Sequence, residues 1–456
     1  MTPVSLYWFR RDLRVADSPA LEAAAAAGDV VGVFVADDAL LAPAGATRRA
    51  YLAASLSALD VAIGGALCVR VGDPAVVLAN LALEVGARAV FATADYGPYG
   101  RERDQLVAAA LAARGVATHF LDSPYAVAPG VVRTANGDPY RVFTPFRRAW
   151  SREAVPPPRR GVAVGWRVAS GEPSASVARL GGTRRPWYFG DLDDGAVPVG
   201  GAGESTAHER LEDFARRAQD YGATRNRPDL DATSRLSAYL HFGVLHPRQV
   251  LDLVGEETFV SEIVWRDFYG DVLFHRPDSA REGLHPAQSR LRVDRDEAAA
   301  LRFQRWARGE TGFPLIDAGM RQLLTEGWMH NRVRMVVASF LVKHLHLDWR
   351  WGARWFMWRL VDGDLASNQH GWQWCAGVGT DAAPFHRVFN PTLQAERFDP
   401  EGDYVRRYVG ELAGVDAPFI HQPGAGGWVD RYPAPMIDLA AERLEALARW
   451  AAATRP

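Results

Sequence analysis

Cysteine is almost absent from this chain. Cys68 and Cys375 are the only two, far apart and without the paired spacing of a zinc site or a disulfide framework. No metal centre is therefore expected, and a reducing cytoplasm suits the composition. Long hydrophobic runs are missing too. The longest, residues 30–36 and 335–342, fall well short of the ~20 apolar residues that cross a bilayer. The N-terminus reads as a strand, without the anatomy of a signal peptide, so a soluble intracellular protein with no membrane partner is expected. An excess of one charge is also lacking: 52 Lys and Arg face 54 Asp and Glu, a formal net charge of −2. The whole molecule thus offers nucleic acid no electrostatic footprint, and any phosphate-binding surface must be local. No internal repeat occurs. After the first strand, where a dinucleotide fold carries G-x-G-x-x-G, stands F-R-R-D-L-R at 9–14, and a Walker lysine is missing as well. The N-terminal region has no standard phosphate cradle, which leaves a nucleotidyl transferase built on it without support.

What is present is bulk and aromaticity. A length of 456 residues, 48% of them hydrophobic, exceeds a single core and implies two or three domains. Residues 5–9, 30–35, 66–71, 89–93 and 118–121 are short β-rich runs separated by Ala- and Leu-rich helical stretches. Asp17-Ser18-Pro19 and Asp73-Pro74 place a cap before a proline in the first helical turn. The expected fold class is an α/β N-terminal domain with a parallel five-stranded doubly wound sheet over residues 1–122. Prolines 156–158 and the glycine pairs at 181–182 and 200–201 mark residues 123–205 as an interdomain connector. Residues 206–456 read as an all-α domain, with helices expected at 207–218, 248–254, 259–274, 296–308, 315–325, 331–345, 353–361 and 437–452. Residues 332–342 are apolar on most sides, which predicts a buried helix.

The chemistry collects around residues 362–374. Asp362, Asp364, Asn368, Trp372 and Trp374 fall within thirteen residues. Two readings are open: the wall of a pocket for a large flat heteroaromatic ligand, or a Trp-rich core with two helix caps. Four further stretches add polar or aromatic groups. Thr233, Ser234 and Ser237 suit a phosphate at a helix N-terminus, or an ordinary cap. Glu262, Trp265 and Arg266 share a helical face. Asn331, Arg334 and Met335 lie within one turn, and Arg334 is a natural partner for Asp362 or Asp364. Between residues 321 and 359 seven Lys or Arg stand against two acids, with five indoles interleaved. In the loop 379–390, Arg387 is placed to reach a phosphate.

Together these stretches resemble the cryptochrome/photolyase family over nearly the whole chain, most closely its class I cyclobutane pyrimidine dimer branch. F-R-R-D-L-R at 9–14 is similar to its opening motif. T-S-R-L-S at 233–237, W-R-D-F at 265–268, G-x-P-L-I-D-A-x-M-R at 312–321, W-M-H-N-R at 328–332, D-G-D-L-A-x-N at 362–368 and G-T-D-A-A-P at 379–384 resemble its flavin domain. The resemblance implies folded FAD in the helical domain. Tyr221, Thr233, Ser234, Leu236 and Ser237 match the positions at its phosphates and ribityl chain, and Arg266 and Trp328 match further pocket positions. Arg334 with Asp362 matches an ion pair against the isoalloxazine, and Asp364 a contact to its polar edge. Asn368 matches the residue facing the reactive N5, where a neutral carboxamide tolerates an anionic reduced flavin.

The activity implied is that of a carbon–carbon lyase, a deoxyribodipyrimidine photo-lyase. Excited reduced FAD passes an electron to a flipped-out cyclobutane dimer in DNA, the ring opens, and the electron returns. Glu262, Trp265, Asn331, Met335, Trp374 and Asn368 match the positions around lesion and flavin, and Trp265, Arg332, Trp374 and Arg387 those that hold the damaged DNA. Members acting on the (6-4) photoproduct carry a His pair where this chain has Asn331 and Met335. Light receptors without repair activity replace the N5-facing Asn with Asp or Cys. Two departures stand out. The family's electron-transfer chain would run from Trp372 through Trp349 to a third indole near residue 296, where this chain has Asp296, so the exit falls to Trp351, Trp355 or another indole. For the antenna chromophore, Gly100-Arg101 replaces the Asn-Glu of folate-binding members and His241 replaces a Lys. Arg48 and Asp95 match antenna contacts, which favours 8-hydroxy-deazaflavin or FMN over methenyltetrahydrofolate. A monomer is expected.

Overall fold

The computed structural model describes all residues except Met1, 193–194, 199, 287–289, 382–386, 418, 427–431 and Pro456. Five parallel strands, β1 (Val4–Phe9), β2 (Asp29–Ala36), β3 (Leu67–Val71), β4 (Ala87–Thr93) and β5 (Ala117–Leu121), pair in the order β3-β2-β1-β4-β5. Leu6 of β1 aligns with Val31 on one side and Val90 on the other. All six residues of β1 are buried, so both faces of the sheet are covered, as its unbroken apolar sequence requires. One face packs Val4, Leu6 and Trp8 against helices Pro74–Val85 and Pro98–Ala112. On the other, Phe9 lies near Trp166 at 6.3 Å, and a Cβ at Gly32 would meet Phe9, Trp166 and Ile63 within 3.4 Å. The edge strand β5 is only half-buried.

The chain divides by contacts into two compact units. The first comprises residues 1–184, 200–219 and 234–277, and the second residues 185–199, 220–233 and 278–456. These limits run differently from the 1–122, 123–205 and 206–456 division suggested by composition. Helices Glu204–Arg217, Pro247–Leu253 and Glu257–His275 cluster with the sheet. Much of the connector does so too: Trp166 bridges to Val30, and Glu172 to Val69. Its later part joins the second unit, where Tyr188, Phe189 and Leu192 enter the core.

That second core is built on helices α1 (Glu297–Arg308), α2 (Pro314–Glu326), α3 (Asn331–Lys343), α4 (Trp349–Arg359) and α5 (Leu365–Ala376). α3 buries Val333, Val336, Val337, Phe340 and Leu341, which fits the apolar run that encodes it. Trp306, Trp355 and Trp358 are almost fully buried, each side chain contributing on the order of 2–3 kcal/mol of hydrophobic stabilisation.

At the C-terminal end of β1, Asp12 is the polar node of the first unit. Its Oδ2 accepts from Tyr7 Oη at 2.6 Å and Thr93 Oγ1 at 2.7 Å, and its Oδ1 from Arg10 N at 2.7 Å. Asp12→Ala removes the acceptor of the buried Thr93 hydroxyl, leaves Tyr7 Oη only Ser18 Oγ, and is expected to destabilise the unit by about 1–3 kcal/mol. In urea denaturation this lowers the midpoint at unchanged slope. An unchanged midpoint would show the node to be dispensable.

Candidate functional site

The second unit gathers most of the residues singled out above. α4 ends at Leu360, and the chain turns where Val361 N donates to Gly327 O at 2.8 Å. That turn delivers Asp362 to Arg334, whose Nη2 donates to Asp362 Oδ2 at 2.8 Å and whose Nε donates to Met329 O at 2.8 Å. The guanidinium lies 6.0 Å from the Trp328 ring centroid. Asp362 Oδ1 is buried and has no hydrogen-bond partner among the described residues. Asp364 caps α5, accepting from Ser367 N at 2.9 Å. One turn later Asn368 donates from Nδ2 to Ala353 O at 3.0 Å and to Gln369 Oε1 at 2.9 Å, which fixes the carboxamide. Past it, a Cβ at Gly371 would meet nothing within 4 Å, and Trp374 is half-buried. Asn368, Gly371 and Trp374 thus follow one open face of α5, while Trp372 turns into the core.

α3 presents Asn331 exposed and Arg332, Arg334 and Met335 partly buried, with Val333, Val336 and Val337 inside. Among the described residues Arg332 binds no carboxylate. It donates to Asn226 Oδ1 at 2.8 and 3.1 Å and lies 4.6 Å from the Phe398 ring centroid. Burial, together with the charges of Arg225 and Arg397, holds its pKa below the usual arginine value. This three-guanidinium cluster escaped the sequence reading, because only Arg332 stood in a recognisable motif. The R-N-R run at 225–227 was its one signal. Arg387 is exposed, and its backbone carbonyl accepts from Lys343 Nζ at 3.3 Å. Within the loop 379–390, and the G-T-D-A-A-P motif that begins it, residues 382–386 lie outside the described residues. Tyr221 is buried, with Arg225 5.8 Å from its ring centroid. Trp349 is buried with its Nε1 unbonded, and among the described residues it makes no ring contact with Trp372. Asp296 caps α1 through Ala299 N at 2.7 Å, which explains a carboxylate where the resemblance expected an indole.

The first unit carries the remaining residues. Helix Glu257–His275 exposes Glu262, Trp265 and Arg266 in part on one face, while Ile263, Val264, Asp267 and Phe268 are buried. Phe143 stacks on Trp265 with centroids 3.6 Å apart and planes at 6°, bracing one face of the indole. Arg266 donates to Pro124 O at 2.8 Å and Leu240 O at 3.3 Å. Ser234 Oγ accepts from Leu236 N at 3.3 Å, and Ser234 O from Arg210 Nε at 3.1 Å. The helix that follows, Ser237–Phe242, is only six residues long, and its N-cap Leu236 makes no side-chain bond. Ser237 therefore opens a short helix without a side-chain cap. Arg235 sits at φ 52°, a left-handed conformation costly for a residue with a Cβ. Asp95 pairs with Arg103 at 3.1 Å and accepts from Gly97 N at 3.1 Å. Burial acts against its charge, but Arg103, Arg10 and Arg11 outweigh this and hold the carboxyl below the usual range. Arg48 is partly buried on helix Ala46–Ala62.

A polar-edged, indole-lined face of this kind defines a site for a flat heteroaromatic cofactor. Residues 259–452 match the model of the FAD-binding domain of DNA photolyase, and residues 5–162 that of DNA photolyase. The chain is 40% identical to the deoxyribodipyrimidine photo-lyase of Vibrio cholerae, covering 96% of this chain and 97% of that one. It is 41% identical to that of Streptomyces griseus, covering 96% and 97%. A class III photolyase from Agrobacterium tumefaciens superposes with a TM-score of 0.90 at 36% identity, covering 100% and 98% of the two chains. An archaeal photolyase from Sulfolobus tokodaii, described with two FAD molecules, gives 0.85 at 29%, covering 98% and 99%. The protein belongs to the DNA photolyase/cryptochrome family. Its donor set fits FAD: the unpartnered Asp362 Oδ1 requires an N–H, which the edge of an isoalloxazine supplies.

His370, on α5, makes this site acid-sensitive. Its Nδ1 donates to Ala366 O at 2.7 Å, so Nε2 accepts from Ser279 Oγ at 3.0 Å, and burial lowers its pKa from 6.5 to about 4. The unfolded chain takes up this proton as pH falls through 6.5, whereas the folded chain stays neutral until about 4. Stability is thus lost across that window, on the order of 3 kcal/mol. His370→Gln is expected to flatten the fall of Tm between pH 6.5 and 4. Parallel curves for the two proteins would clear His370 of this role.

Proposed function

We propose that the protein repairs cyclobutane pyrimidine dimers in DNA, using light absorbed by reduced FAD. The observation that carries this reading is α5 with its entry turn. The Arg334–Asp362 pair, the fixed carboxamide of Asn368 and the open face leading to Trp374 follow one another along it. When bound, reduced FAD supplies the photoexcited electron. The chain supplies the rest. Arg334 and Asp362 hold the isoalloxazine edge, Asp364 adds a second polar contact, and Asn368 accommodates the reduced ring without repelling its charge. Tyr221, Thr233, Ser234, Leu236, Ser237, Arg266 and Trp328 complete the cofactor's surroundings.

For the lesion, Glu262 hydrogen-bonds a pyrimidine edge, Asn331 adds a polar contact, and Trp265, Trp374 and Met335 provide packing surface. Phe143 keeps the Trp265 ring in one orientation, so little side-chain entropy is lost when a lesion docks. Arg332 and Arg387 hold the strand. Arg332, which pairs with no carboxylate among the described residues and lies close to Arg225 and Arg397, supplies the local positive field that the near-neutral chain conceals. A dimer stacks poorly and flips out at less cost than an intact pair, which gives selectivity. Asn331 and Met335, in place of a His pair, favour the cyclobutane dimer over the (6-4) photoproduct. Asn368 favours repair over signalling.

Several further features belong to this reading. The functional division is residues 1–122 for an antenna chromophore, a connector over 123–205, and 206–456 for FAD and DNA. The antenna is a deazaflavin or FMN near Arg48 and Asp95. The protein acts as a cytoplasmic monomer. No helix of the described residues is long and apolar enough to cross a membrane.

The test is light-dependent dimer repair by the reduced holoenzyme. Glu262→Ala is expected to lower the repair yield per photon at unchanged FAD content, and loss of FAD instead would make the residue structural. Trp265→Ala is expected to weaken binding of dimer-containing DNA by ~1–3 kcal/mol, with a much smaller effect on undamaged DNA. Illuminated, reduced wild-type enzyme that leaves dimers intact would end the proposal.

A further inference from the structure

Asn226 and Arg332 stand 106 residues apart in the chain and meet in the second unit. The Arg332 guanidinium is held by a single oxygen: Nη2 donates to Asn226 Oδ1 at 2.8 Å, and Nε donates to the same atom at 3.1 Å. Its remaining N–H groups have no partner among the described residues. Arg332 lies 4.6 Å from the Phe398 ring centroid, and Arg397 lies 5.2 Å from the same ring. Asn226 is itself fixed in place. Arg225 N donates to Tyr221 O at 2.8 Å and Arg227 N to Thr224 O at 2.8 Å, which closes the backbone into turns on both sides of it. Arg227 then pairs with Asp229, whose carbonyl accepts from Arg407 Nη2 at 3.2 Å.

Two guanidiniums beside this turn are thus treated in opposite ways. Arg227 has a carboxylate, and the hydrogen bond to Asp229 raises its pKa. Arg332 has a carboxamide, and burial together with Arg225 and Arg397 lowers its pKa. Arg332 also stands in the first turn of α3, where the helix dipole is itself positive. No carboxylate among the described residues offsets these effects. The fold orients this cation and leaves its charge unneutralised.

We propose that Asn226 is a positioning residue for DNA binding, whose neutral side chain aims the Arg332 guanidinium at a strand phosphate without neutralising it. The inference rests on the reading of Arg332 as a holder of the damaged strand. An amide oxygen accepts two N–H bonds as a carboxylate oxygen does, but it brings no net charge. A carboxylate in the same place would form a charge-assisted pair with Arg332, and a phosphate would have to compete with it. With the carboxamide, the phosphate is the first anion this guanidinium meets. Its docking also relieves the mutual repulsion of Arg225, Arg332 and Arg397. Phe398 confines the guanidinium further, so its orientational freedom is lost on folding and not again on binding.

The experiment titrates FAD-loaded enzyme in the dark with a dimer-containing duplex, and with the same duplex undamaged, over a series of salt concentrations. Asn226→Asp keeps the size and the acceptor oxygen. It is expected to weaken binding of both duplexes by about tenfold and to lower the slope of log affinity against log salt by about one. FAD content, and the repair yield per absorbed photon at saturating DNA, should stay at wild-type levels, and Tm should hold or rise. A purely structural role would leave affinity and slope unmoved in this variant, because the hydrogen bonds are kept. Asn226→Ala should lose affinity at an unchanged slope, since the charge remains and only its aim is lost. In an Arg332→Gln background, Asn226→Asp should cost less than about threefold. An undiminished loss there would mean that the added negative charge repels DNA by itself, and would overturn the proposal. Wild-type affinity and slope in Asn226→Asp, beside weak binding by Arg332→Gln, would overturn it as well. Wild-type affinity in Arg332→Gln would instead remove the strand-holding reading on which the proposal stands.

Discussion

Asp362 keeps a buried carboxylate in the unit whose core holds Trp306, Trp355 and Trp358, and Arg334 makes that tolerable. Burying a lone carboxylate costs several kcal/mol even after relaxation. The pair offsets this only because the guanidinium is held on two sides, by the carboxylate and by Met329 O. The contact ties the turn after α4 to the start of α3. From that turn Asp364 caps α5, and the cap sets the rotation at which Asn368 meets Ala353 O. The orientation of the carboxamide therefore depends on an ion pair one helix away. Were the pair lost, the uncompensated charge would pull the turn toward water, and the open face of α5 would lose its register.

Buried aspartates also organise three other family motifs, there through hydrogen bonds and not an ion pair. Asp12 of F-R-R-D gathers two hydroxyls and a backbone N–H at the end of β1. Asp267 of W-R-D-F accepts from Val127 N, Ala126 N and Trp150 Nε1, and burial still pushes its pKa up to about 6. Asp317 of P-L-I-D-A accepts from Thr311 N and Oγ1 and from Gly312 N, and burial raises it as well. Each is a buried acceptor on which several donors from neighbouring segments converge. These motifs are therefore only partly about chemistry, since one residue in each holds a loop against a helix while the residues beside it remain free to act.

How far the site could be read from the chain alone follows from this. The strands were legible because a doubly covered parallel sheet needs unbroken apolar runs, and the helix starts because Ser18 and Asp73 cap before proline. Arg334 and Asp362 were legible as partners by chemistry. Where the contacts divide the chain was not, because helices Glu204–Arg217, Pro247–Leu253 and Glu257–His275 join the sheet through long-range packing that no local composition reports. Nor were the ring neighbours of Trp372. They depend on Gly352 letting an indole lie against a helix backbone, a fact of tertiary approach that leaves no periodic trace. The pairing of Arg332 with Asn226 was hidden for the same reason, because the two residues lie far apart in the chain.

Arginine explains how so polar a set of junctions survives so much burial. Of the 52 basic residues, 51 are Arg and one is Lys. That lysine, Lys343, is buried, and desolvation lowers its pKa to about 8, well toward neutrality. A guanidinium keeps its charge and lies flat on rings. Arg10 and Arg103 lie 4.5 and 4.8 Å from the Trp8 centroid, Arg266 lies 4.7 Å from that of Tyr125, and Arg332 4.6 Å from that of Phe398. An anionic cofactor and a phosphate backbone both need cations that persist in partly dry surroundings. Lysine at such positions would lie closer to losing its charge than arginine does. A chain rich in indoles and almost without lysine can place permanent positive charge against aromatic faces, and so stay near neutral overall while being locally cationic where anions dock.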